Sequence, residues 1–302
     1  MPILLDEAAV RQHLRMTDLL PAMEKALVDF SARKVIQPVR GAIAVDPPGG
    51  FFFWMPALSE GLGLKIVTFY PSNAGHGLPT HMATIFLVDP QTGMPLAIMD
   101  GRLITEMRTA AVSAVATNLL ASPDASVLAI LGSGVQARSH SEALRLVRNF
   151  KEVRVWSRTP EHAHRFAEEI GARVMVAEKA VRDADVVVTV TNACEPILKG
   201  AWLKRGCHVN AVGSPRPDWR ELDDQAMANV LFVDSREGAL KESGDVILSK
   251  AQIYAEIGEA LSGKVPTRAN ETTVFKSLGM AVEDIAAAML VYRSAMAGES
   301  RL

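Results

Sequence analysis

Apolar and polar residues follow two different periods along the chain, and these periods predict its elements. Residues 6–30 carry apolar side chains at spacings near three and four, which indicates helix, with Asp18 as the cap of a second helical segment. The apolar positions of this stretch are Leu14, Leu19, Met23, Leu27 and Phe30. Short apolar runs bounded by turn residues then predict four strands, at 40–45, 50–55, 63–69 and 84–88. Successive strands with few helices between them favour an α+β domain.

An alanine-rich helix is predicted at 105–120, and we interpret it as a connector between this region and a second domain. Beyond it, short apolar runs alternate with helical segments. The predicted strands are 126–131, 152–156, 173–176, 185–190, 207–211 and 230–233. Helices between consecutive strands predict an α/β fold with a Rossmann-type, doubly wound parallel sheet. Past residue 235 the chain is mostly helical, with the clearest segments at 238–249 and 280–296.

The first strand of this second region ends in a glycine turn. The apolar run 127–131 is followed by Gly132-Ser-Gly-Val-Gln-Ala137 and then by a helical segment. In such a turn Gly132 permits the sharp bend, Gly134 lets the backbone approach a pyrophosphate, and Ala137 lets the helix pack on the strand. The helix N-terminus adds free N–H groups. The alternative is a glycine turn without a ligand, which the strand–helix alternation around the motif disfavours.

The next strand ends in Ser157-Arg158-Thr159. An NAD site places a carboxylate here, on the ribose hydroxyls. Arg158 instead offers a planar fork that matches a 2′-phosphate, unless it is an ordinary solvated arginine. The sequence therefore predicts NADPH in preference to NADH. Two later strands end in Thr191-Asn192 and Gly213-Ser214, where a parallel sheet carries its ligands.

Composition narrows the class of protein. A chain of 302 residues allows two domains, and 49% hydrophobic with 22% charged residues is typical of a globular protein. A net charge of −2, with scattered cations, argues against nucleic acid as a partner. Cys194 and Cys207 are too few for a disulfide framework, and no metal site is expected. With no signal-like start and no long apolar window, we expect a cytoplasmic protein without membrane contact.

The candidate reactive groups of the first region are mainly single cationic residues that stand apart in the sequence. Lys65 interrupts an apolar strand, where burial would lower its pKa and suit it to proton transfer, or where it could point to water from an edge strand. Arg40 and Arg108 could clamp a carboxylate, although each alone could be a surface charge. His81 could serve cofactor or substrate, and a structural histidine is equally consistent with its position.

Seven segments together identify a family. They are Lys65–Tyr70, Met99–Arg102, Met107–Ala114, Ile130–Ala137, Gly213–Leu222, Leu240–Asp245 and Val274–Ala281. With these segments the chain resembles the ornithine cyclodeaminase/mu-crystallin family over nearly its whole length, and most closely its mu-crystallin type, the ketimine reductases.

The resemblance implies a homodimer with a substrate-binding and dimerisation domain at 1–118 plus 280–302, and an NADP-binding domain at 119–279. It implies that Lys65 is catalytic and that the substrate is held by Arg40, Lys65, Arg108 and Ser214. The cofactor contacts expected from motif and resemblance together are Thr80, His81, Arg108, Gly132, Gly134, Val135, Gln136, Ser157, Arg158, Thr159, Thr191, Asn192, Val212 and Ser277.

One departure separates activities within the family. Cyclodeaminases carry an aspartate shortly after the fifth strand, at the place of Pro215 here, while Asp218 lies three residues later. The resemblance therefore favours an NADPH-dependent reductase of cyclic ketimine carboxylates, acting on a small cyclic imino acid. The alternatives are an ornithine cyclodeaminase, an amino-acid dehydrogenase acting on pyruvate and ammonia, and a binding protein that uses NADPH to order a ligand pocket.

Overall fold

A computed structural model describes residues 1–47 and 49–299 of the chain. The chain divides into two compact units. Unit 1 is Met1–Arg108 with the described part of Met280–Leu302, and unit 2 is Thr109–Gly279. The first division falls after Arg108, within a helix, rather than after residue 118 as the sequence suggested. A long alanine-rich helix has no composition change that would mark such a point.

Unit 1 is built on a six-stranded sheet in the order β1-β6-β5-β4-β3-β2. Its strands are β1 (Ile3–Leu5), β2 (Gly41–Val45), β3 (Gly50–Leu58), β4 (Leu62–Phe69), β5 (His81–Val88) and β6 (Pro95–Asp100). All neighbours pair antiparallel except β1 with β6. The helices are α1 (Glu7–His13), α2 (Met16–Ser31), the start of α3 (Arg102–Leu120), and α11 (Ala281–Glu299). The α+β arrangement predicted for this region is what the structure shows.

The two faces of this sheet differ. Helix α11 packs on β3, β4 and β5 as well as on α2, so residues on that face are buried. The opposite face stays partly exposed although it is apolar. We call it the apolar face, and it is formed by Ile43, Trp54, Leu64, Ile66, Met82, Phe86 and Ile98. Since side chains alternate along a strand, the odd positions of β4, which include Lys65, point to the helix side.

Unit 2 is a doubly wound α/β fold, as the sequence predicted. Its eight parallel strands follow the order β13-β12-β14-β11-β10-β7-β8-β9. They are β7 (Val127–Leu131), β8 (Glu152–Trp156), β9 (Arg173–Val174), β10 (Val186–Thr189), β11 (His208–Ala211), β12 (Val230–Val233), β13 (Ile253–Glu256) and β14 (Thr273–Lys276). The helices are the remainder of α3, α4 (Val135–Arg145), α5 (Pro160–Ile170), α6 (Ala177–Val181), α7 (Asp224–Met227), α8 (Arg236–Glu242), α9 (Gly244–Ser249) and α10 (Ile257–Leu261).

Apolar strands fill the core of unit 2. Leu131, Val187, Val209 and Val274 lie on neighbouring strands and are fully buried in one cluster. Strands buried on both faces read as continuous apolar runs, which is why the sequence located them. Across the described residues of both units, no helix combines the length and hydropathy needed to span a membrane.

Several element predictions need correction. Strands β1, β6, β13 and β14 were missed, because short strands are defined by their pairing partners more than by their own residues. The segment predicted at 238–249 is two helices, α8 and α9, which meet at Ser243. Asp18 does not cap α2: Arg15 is the N-cap residue, and Asp18 lies in the first turn. There its negative charge interacts favourably with the positive end of the helix dipole, although it is not the capping residue.

Candidate functional site

Unit 1 encloses a cluster of charged side chains beneath its sheet. We call it the Lys65 cluster, formed by Lys65, Arg108, Glu283 and Asp284. The Nζ of Lys65 lies 2.5 Å from Oδ2 of Asp284. Arg108 donates from Nε to Oδ1 of Asp284 at 2.8 Å and from Nη1 to Oε2 of Glu283 at 2.7 Å. All four side chains are buried, so the structure brings together two predicted cations and two carboxylates that the sequence analysis missed.

The local sequence explains how α11 comes close enough to reach Lys65. Gly63 lies on the same face of β4 as Lys65, and a Cβ built there would lie 2.5 Å from Cδ1 of Ile285. A Cβ there would also lie 2.7 Å from the carbonyl oxygen of Phe86, so the glycine leaves room for both this backbone and the Ile285 side chain of α11. The close approach places Asp284, one residue before Ile285, against the ammonium of Lys65.

Burial and neighbouring charges set the protonation of this cluster. Desolvation lowers the pKa of Lys65 to about 8, with further lowering by Arg108 and Arg40, while Asp284 raises it. Desolvation acts to raise the pKa of Asp284, but the charges of Arg108 and Lys65 outweigh it and hold that pKa below its usual value. Asp284 is therefore ionised near neutrality, and Lys65 can exchange a proton there.

Three other predicted residues of unit 1 lie around the same region. His81 begins β5 and faces the helix side; desolvation, followed by the charges of Lys65 and Arg108, lowers its pKa to about 4. It is therefore a neutral imidazole near pH 7. Thr80 directly precedes β5, and Arg40 directly precedes β2. The charge of Arg40 is felt at Lys65, which agrees with a shared cationic site.

In unit 2 the predicted cofactor residues follow the carboxyl ends of parallel strands. Gly132 has φ 134°, and a Cβ there would lie 2.7 Å from the carbonyl oxygen of Val190 on the neighbouring strand's end. Gly134 is the N-cap of α4, and a Cβ there would meet nothing within 4 Å. The backbone at the start of α4 is therefore open on that side, and the first-turn N–H groups of a helix are donors of the kind that bind a pyrophosphate.

Two buried polar atoms at this edge lack a partner. Oε1 of Gln136, in the first turn of α4, and Oγ of Ser277, after β14, make no hydrogen bond with any residue in 1–47 or 49–299. Buried polar atoms are normally satisfied, so such atoms indicate where a ligand would bind. Together with the open turn, they fit a dinucleotide.

The end of β8 carries the predicted selectivity residues. Ser157 accepts a hydrogen bond at Oγ from Ser133 at 2.8 Å, which ties the end of β8 to the glycine turn. Thr159 is the N-cap of α5. Arg158 lies exposed between them, and no hydrogen bond or ion pair holds its guanidinium within the described part of the chain. Its five donors are available for an anion.

The ends of β10 and β11 are held by internal contacts. The hydroxyl of Thr191 donates to Oε1 of Glu221 at 2.6 Å, and that of Ser214 donates to the carbonyl oxygen of Ala193 at 2.6 Å. Ser214, predicted to bind substrate, is fully buried. Asn192 is exposed and Val212 is half-buried beside these residues. The hydrogen bonds of Thr191 and Ser214 fix the ends of β10 and β11. Ligands of parallel sheets bind at such strand ends.

The sequence offered weak signals for Glu283 and Asp284. They stand as adjacent acids in an otherwise apolar stretch from Met280 to Val291, and burial makes such acids dependent on cations. The positions of these two acids in the sequence do not show which cations pair with them. Among the residues that the structure describes, no group of three or more histidine, cysteine or carboxylate side chains lies close enough to hold a metal ion.

Known proteins are similar to this chain over nearly its whole length. The model of the ornithine cyclodeaminase/mu-crystallin family matches residues 2–299. The ketimine reductase mu-crystallin of Mus musculus is 52% identical over 309 aligned residues, covering 99% of each chain. The solved Δ1-pyrroline-2-carboxylate reductase of Thermococcus litoralis, in complex with NADH and L-proline, superposes with a TM-score of 0.93 at 36% identity, covering 98% of each chain. An archaeal alanine dehydrogenase dimer with bound NAD gives 0.93 at 32% identity, covering 99% of this chain and all but 3% of that one.

Proposed function

Because the chain belongs to the ornithine cyclodeaminase/mu-crystallin family, we propose that it is an NADPH-dependent reductase of cyclic ketimine carboxylates. The substrates are Δ1-pyrroline-2-carboxylate and Δ1-piperideine-2-carboxylate, and the products are L-proline and L-pipecolate. The observation that carries the proposal is the buried Lys65, held by Asp284 with a pKa of about 8. Such an ammonium can supply a proton to an imine nitrogen near neutral pH.

The charges of unit 1 match the two ends of this substrate. Arg40 and Arg108 attract its carboxylate, and Arg108 is oriented for this by Asp284 and Glu283. Lys65 keeps the imine nitrogen protonated, which makes C2 more electrophilic. A nicotinamide bound at unit 2 would supply the hydride for C2. The C=N double bond becomes a single bond, the nitrogen keeps its proton, and solvent reprotonates Lys65.

We assign the glycine turn and Arg158 of unit 2 to the cofactor, and Arg40, Lys65 and Arg108 of unit 1 to the substrate. Arg158 supports NADPH, because an unpaired guanidinium after β8 can bind a 2′-phosphate, with the hydroxyls of Ser157 and Thr159 nearby. The two solved relatives carry NADH and NAD, so this preference is argued from the chain's own residues. An enzyme that consumes NADPH draws on an intracellular pool, and we place the reaction in the cytoplasm.

We further propose that the protein is a homodimer that pairs through the apolar face of unit 1. On that face Ile43 is 55% exposed, Trp54 38% and Met82 42%, with Thr68 opposite Met82 on the neighbouring strand. Exposed apolar side chains grouped on one face of a sheet often mark an interface. The solved archaeal alanine dehydrogenase is a dimer, which supports the same assembly here.

The test is NADPH oxidation by the purified protein with a panel of compounds. Five- and six-membered cyclic ketimine carboxylates should be reduced, with L-proline and L-pipecolate identified by chiral chromatography. Ornithine and the pair of pyruvate with ammonia serve as comparisons for the other activities of relatives. Ammonia release from ornithine without net NADPH consumption, or faster turnover of pyruvate with ammonia, would show that the proposal names the wrong reaction. Tight ligand binding without turnover of any imine would make it a binding protein.

A further inference from the structure

Three of the segments that identify the family converge on one buried charge cluster in unit 2. Each segment contributes one charged residue: Glu221 from 213–222, Asp245 from 240–245, and Lys276 from 274–281. All three side chains are fully buried. We call them the carboxyl-edge cluster, because the loops that they hold follow the carboxyl ends of β10, β11 and β14. The reaction proposed above uses none of the three.

Lys276 and Asp245 form the base of this cluster. The Nζ of Lys276, the last residue of β14, donates to the carbonyl oxygen of Gly213 at 2.6 Å and to Oδ2 of Asp245 at 2.9 Å. Oδ1 of Asp245 accepts from the backbone N–H groups of Glu221 and Leu222, at 2.8 and 2.9 Å. One aspartate therefore fixes both the cation and the backbone that carries Glu221.

Glu221 then joins two loops. Its Oε1 accepts from the backbone N–H and the hydroxyl of Thr191, at 2.7 and 2.6 Å. Its Oε2 accepts from the hydroxyl of Thr189 at 2.7 Å and from the N–H of Gly213 at 2.8 Å. Each oxygen accepts two hydrogen bonds, so the carboxylate holds the ends of β10 and β11 in fixed positions relative to each other.

The loops held in this way have little freedom. A Cβ at Gly213 would lie 2.1 Å from the carbonyl oxygen of Thr191, so the two loops touch through backbone. Ser214 has φ 52°, a left-handed conformation that a serine adopts at a cost and keeps only where its surroundings require it. Its hydroxyl closes the contact by bonding to Ala193. The ionic contacts, the close backbone approach and the strained serine therefore restrict the same two loops.

We propose that Glu221, Asp245 and Lys276 are positioning residues that aim the nicotinamide end of the cofactor by fixing the loops 190–193 and 212–216. This inference rests on the proposed function, since it assigns these loops to a nicotinamide nucleotide. The glycine turn and Arg158 hold the pyrophosphate and adenosine end by separate contacts. The cluster therefore governs the geometry of hydride transfer more than the affinity for the nucleotide.

A purely stabilising role would not require these charges. Replacing a buried ionic cluster with well-packed apolar residues is often neutral or stabilising, so buried charges are weak evidence for stability. Directional bonds to four loop groups, by contrast, specify position. Misplacement of reacting groups by about 1 Å can lower a rate by about a hundredfold, so modest loop shifts are sufficient for a kinetic effect.

The chain contains a matched control at the opposite edge of the same sheet. Asp185, just before β10, accepts from the backbone N–H groups of Ser126 and Val127 at 2.7 and 2.8 Å. Its other oxygen binds the ammonium of Lys204 at 2.5 Å. Asp185 thus makes the same pattern as Asp245, two backbone N–H groups and one lysine, but at the amino ends of the strands. Loss of Asp185 costs fold stability without touching the loops in question.

The experiment compares Glu221→Gln and Asp245→Asn with Asp185→Asn. In the protein without nucleotide, amide hydrogen exchange of Thr191 and Gly213 should speed up in Glu221→Gln, and should stay unchanged in Asp185→Asn. With NADPH and the cyclic imine, kcat should fall about tenfold to a hundredfold in both cluster variants. The NADPH dissociation constant, from nucleotide fluorescence, should change by less than about threefold. The primary isotope effect on kcat with 4-deuterated NADPH should rise, because hydride transfer becomes slower.

The inference is overturned if the cluster variants remain folded and keep kcat, the isotope effect and the exchange of Thr191 and Gly213 at the values of Asp185→Asn. It is also overturned if their only change is a lower Tm. Should Glu221→Gln fail to fold, Asp245→Asn provides the same readouts. Failure of the proposed function is seen separately, in the wild-type protein, as absence of imine reduction. The amide-exchange result then still decides whether the cluster fixes these loops.

Discussion

Lys65 and Asp284 form an ion pair of 2.5 Å, with side-chain exposures of 2% and 0%. A lysine buried in this way is costly unless a carboxylate compensates it, and Asp284 also receives a hydrogen bond from Arg108. The pair therefore holds a lysine in a buried, charged setting that lowers its pKa to about 8. Such placement is a means of tuning a lysine for proton transfer.

Lys65→Met should lower kcat for imine reduction about a hundredfold to ten-thousandfold, the contribution expected from a general acid. The change removes the proton donor and keeps a side chain of similar length. NADPH binding, measured by fluorescence titration, should be retained, because the glycine turn and Arg158 lie in unit 2. Near-normal turnover in the folded variant would remove Lys65 from the mechanism.

Asp284→Asn should move the pH profile of kcat/KM. The proposed reaction uses protonated Lys65, so the rate should fall as pH rises through its pKa of about 8. Asp284 raises that pKa, and its removal lets desolvation, Arg108 and Arg40 lower it further. The falling limb should therefore shift to lower pH.

Other charged groups around Lys65 define the control for this profile. Glu283 on α11 pairs with Arg108, and His81 on β5, with a pKa of about 4, does not titrate in the same range. Glu283→Gln preserves the pair of Lys65 with Asp284, so it should shift the limb less than Asp284→Asn. Equal shifts in the two variants would refute a direct effect of Asp284 on Lys65.

Arg158→Ala should reduce kcat/KM for NADPH about tenfold to a hundredfold, the value of one or two hydrogen bonds to a charged group. The value for NADH should stay nearly constant, because NADH lacks the 2′-phosphate. Arg173→Ala, which removes an exposed arginine on β9, provides the comparison. A parallel loss with both nucleotides would place Arg158 outside the 2′-phosphate site.

Met82→Glu should convert the dimer to monomers in analytical ultracentrifugation, since it buries a charge in the proposed interface. Met94→Glu makes the same change in the turn before β6, at a methionine that is 61% exposed, and should leave the dimer intact. Dimers of unchanged affinity in Met82→Glu would assign the interface to another surface.

The sequence predicted local motifs better than distant partners. The glycine turn at 132–137 was recognisable because strand, turn and helix follow one another directly in the chain. Lys65 was identified as an unusual lysine, but its burial depends on Asp284, which α11 brings from far along the chain. The separation of the two residues along the chain gives no indication that they are in contact.

Strand β14 shows the same limit at the level of the fold. It follows β11 and β12 in the chain but lies between them in the sheet. Its residues Thr273–Lys276 resemble many short apolar runs, and only the neighbouring strands make them a central strand. The position of Lys276 beneath Gly213 follows from that insertion, so the carboxyl-edge cluster could not be deduced from sequence.

The order of elements in the chain has a consequence for biosynthesis. Unit 2 is one continuous stretch, whereas unit 1 is completed by α11, which leaves the ribosome after all of unit 2. The nucleotide fold can therefore close during translation while Lys65 and Arg108 are still hydrated. Docking of α11 is the step that withdraws them from water, so a chain interrupted before Ala281 would have a folded unit 2 and a Lys65 without its partner Asp284.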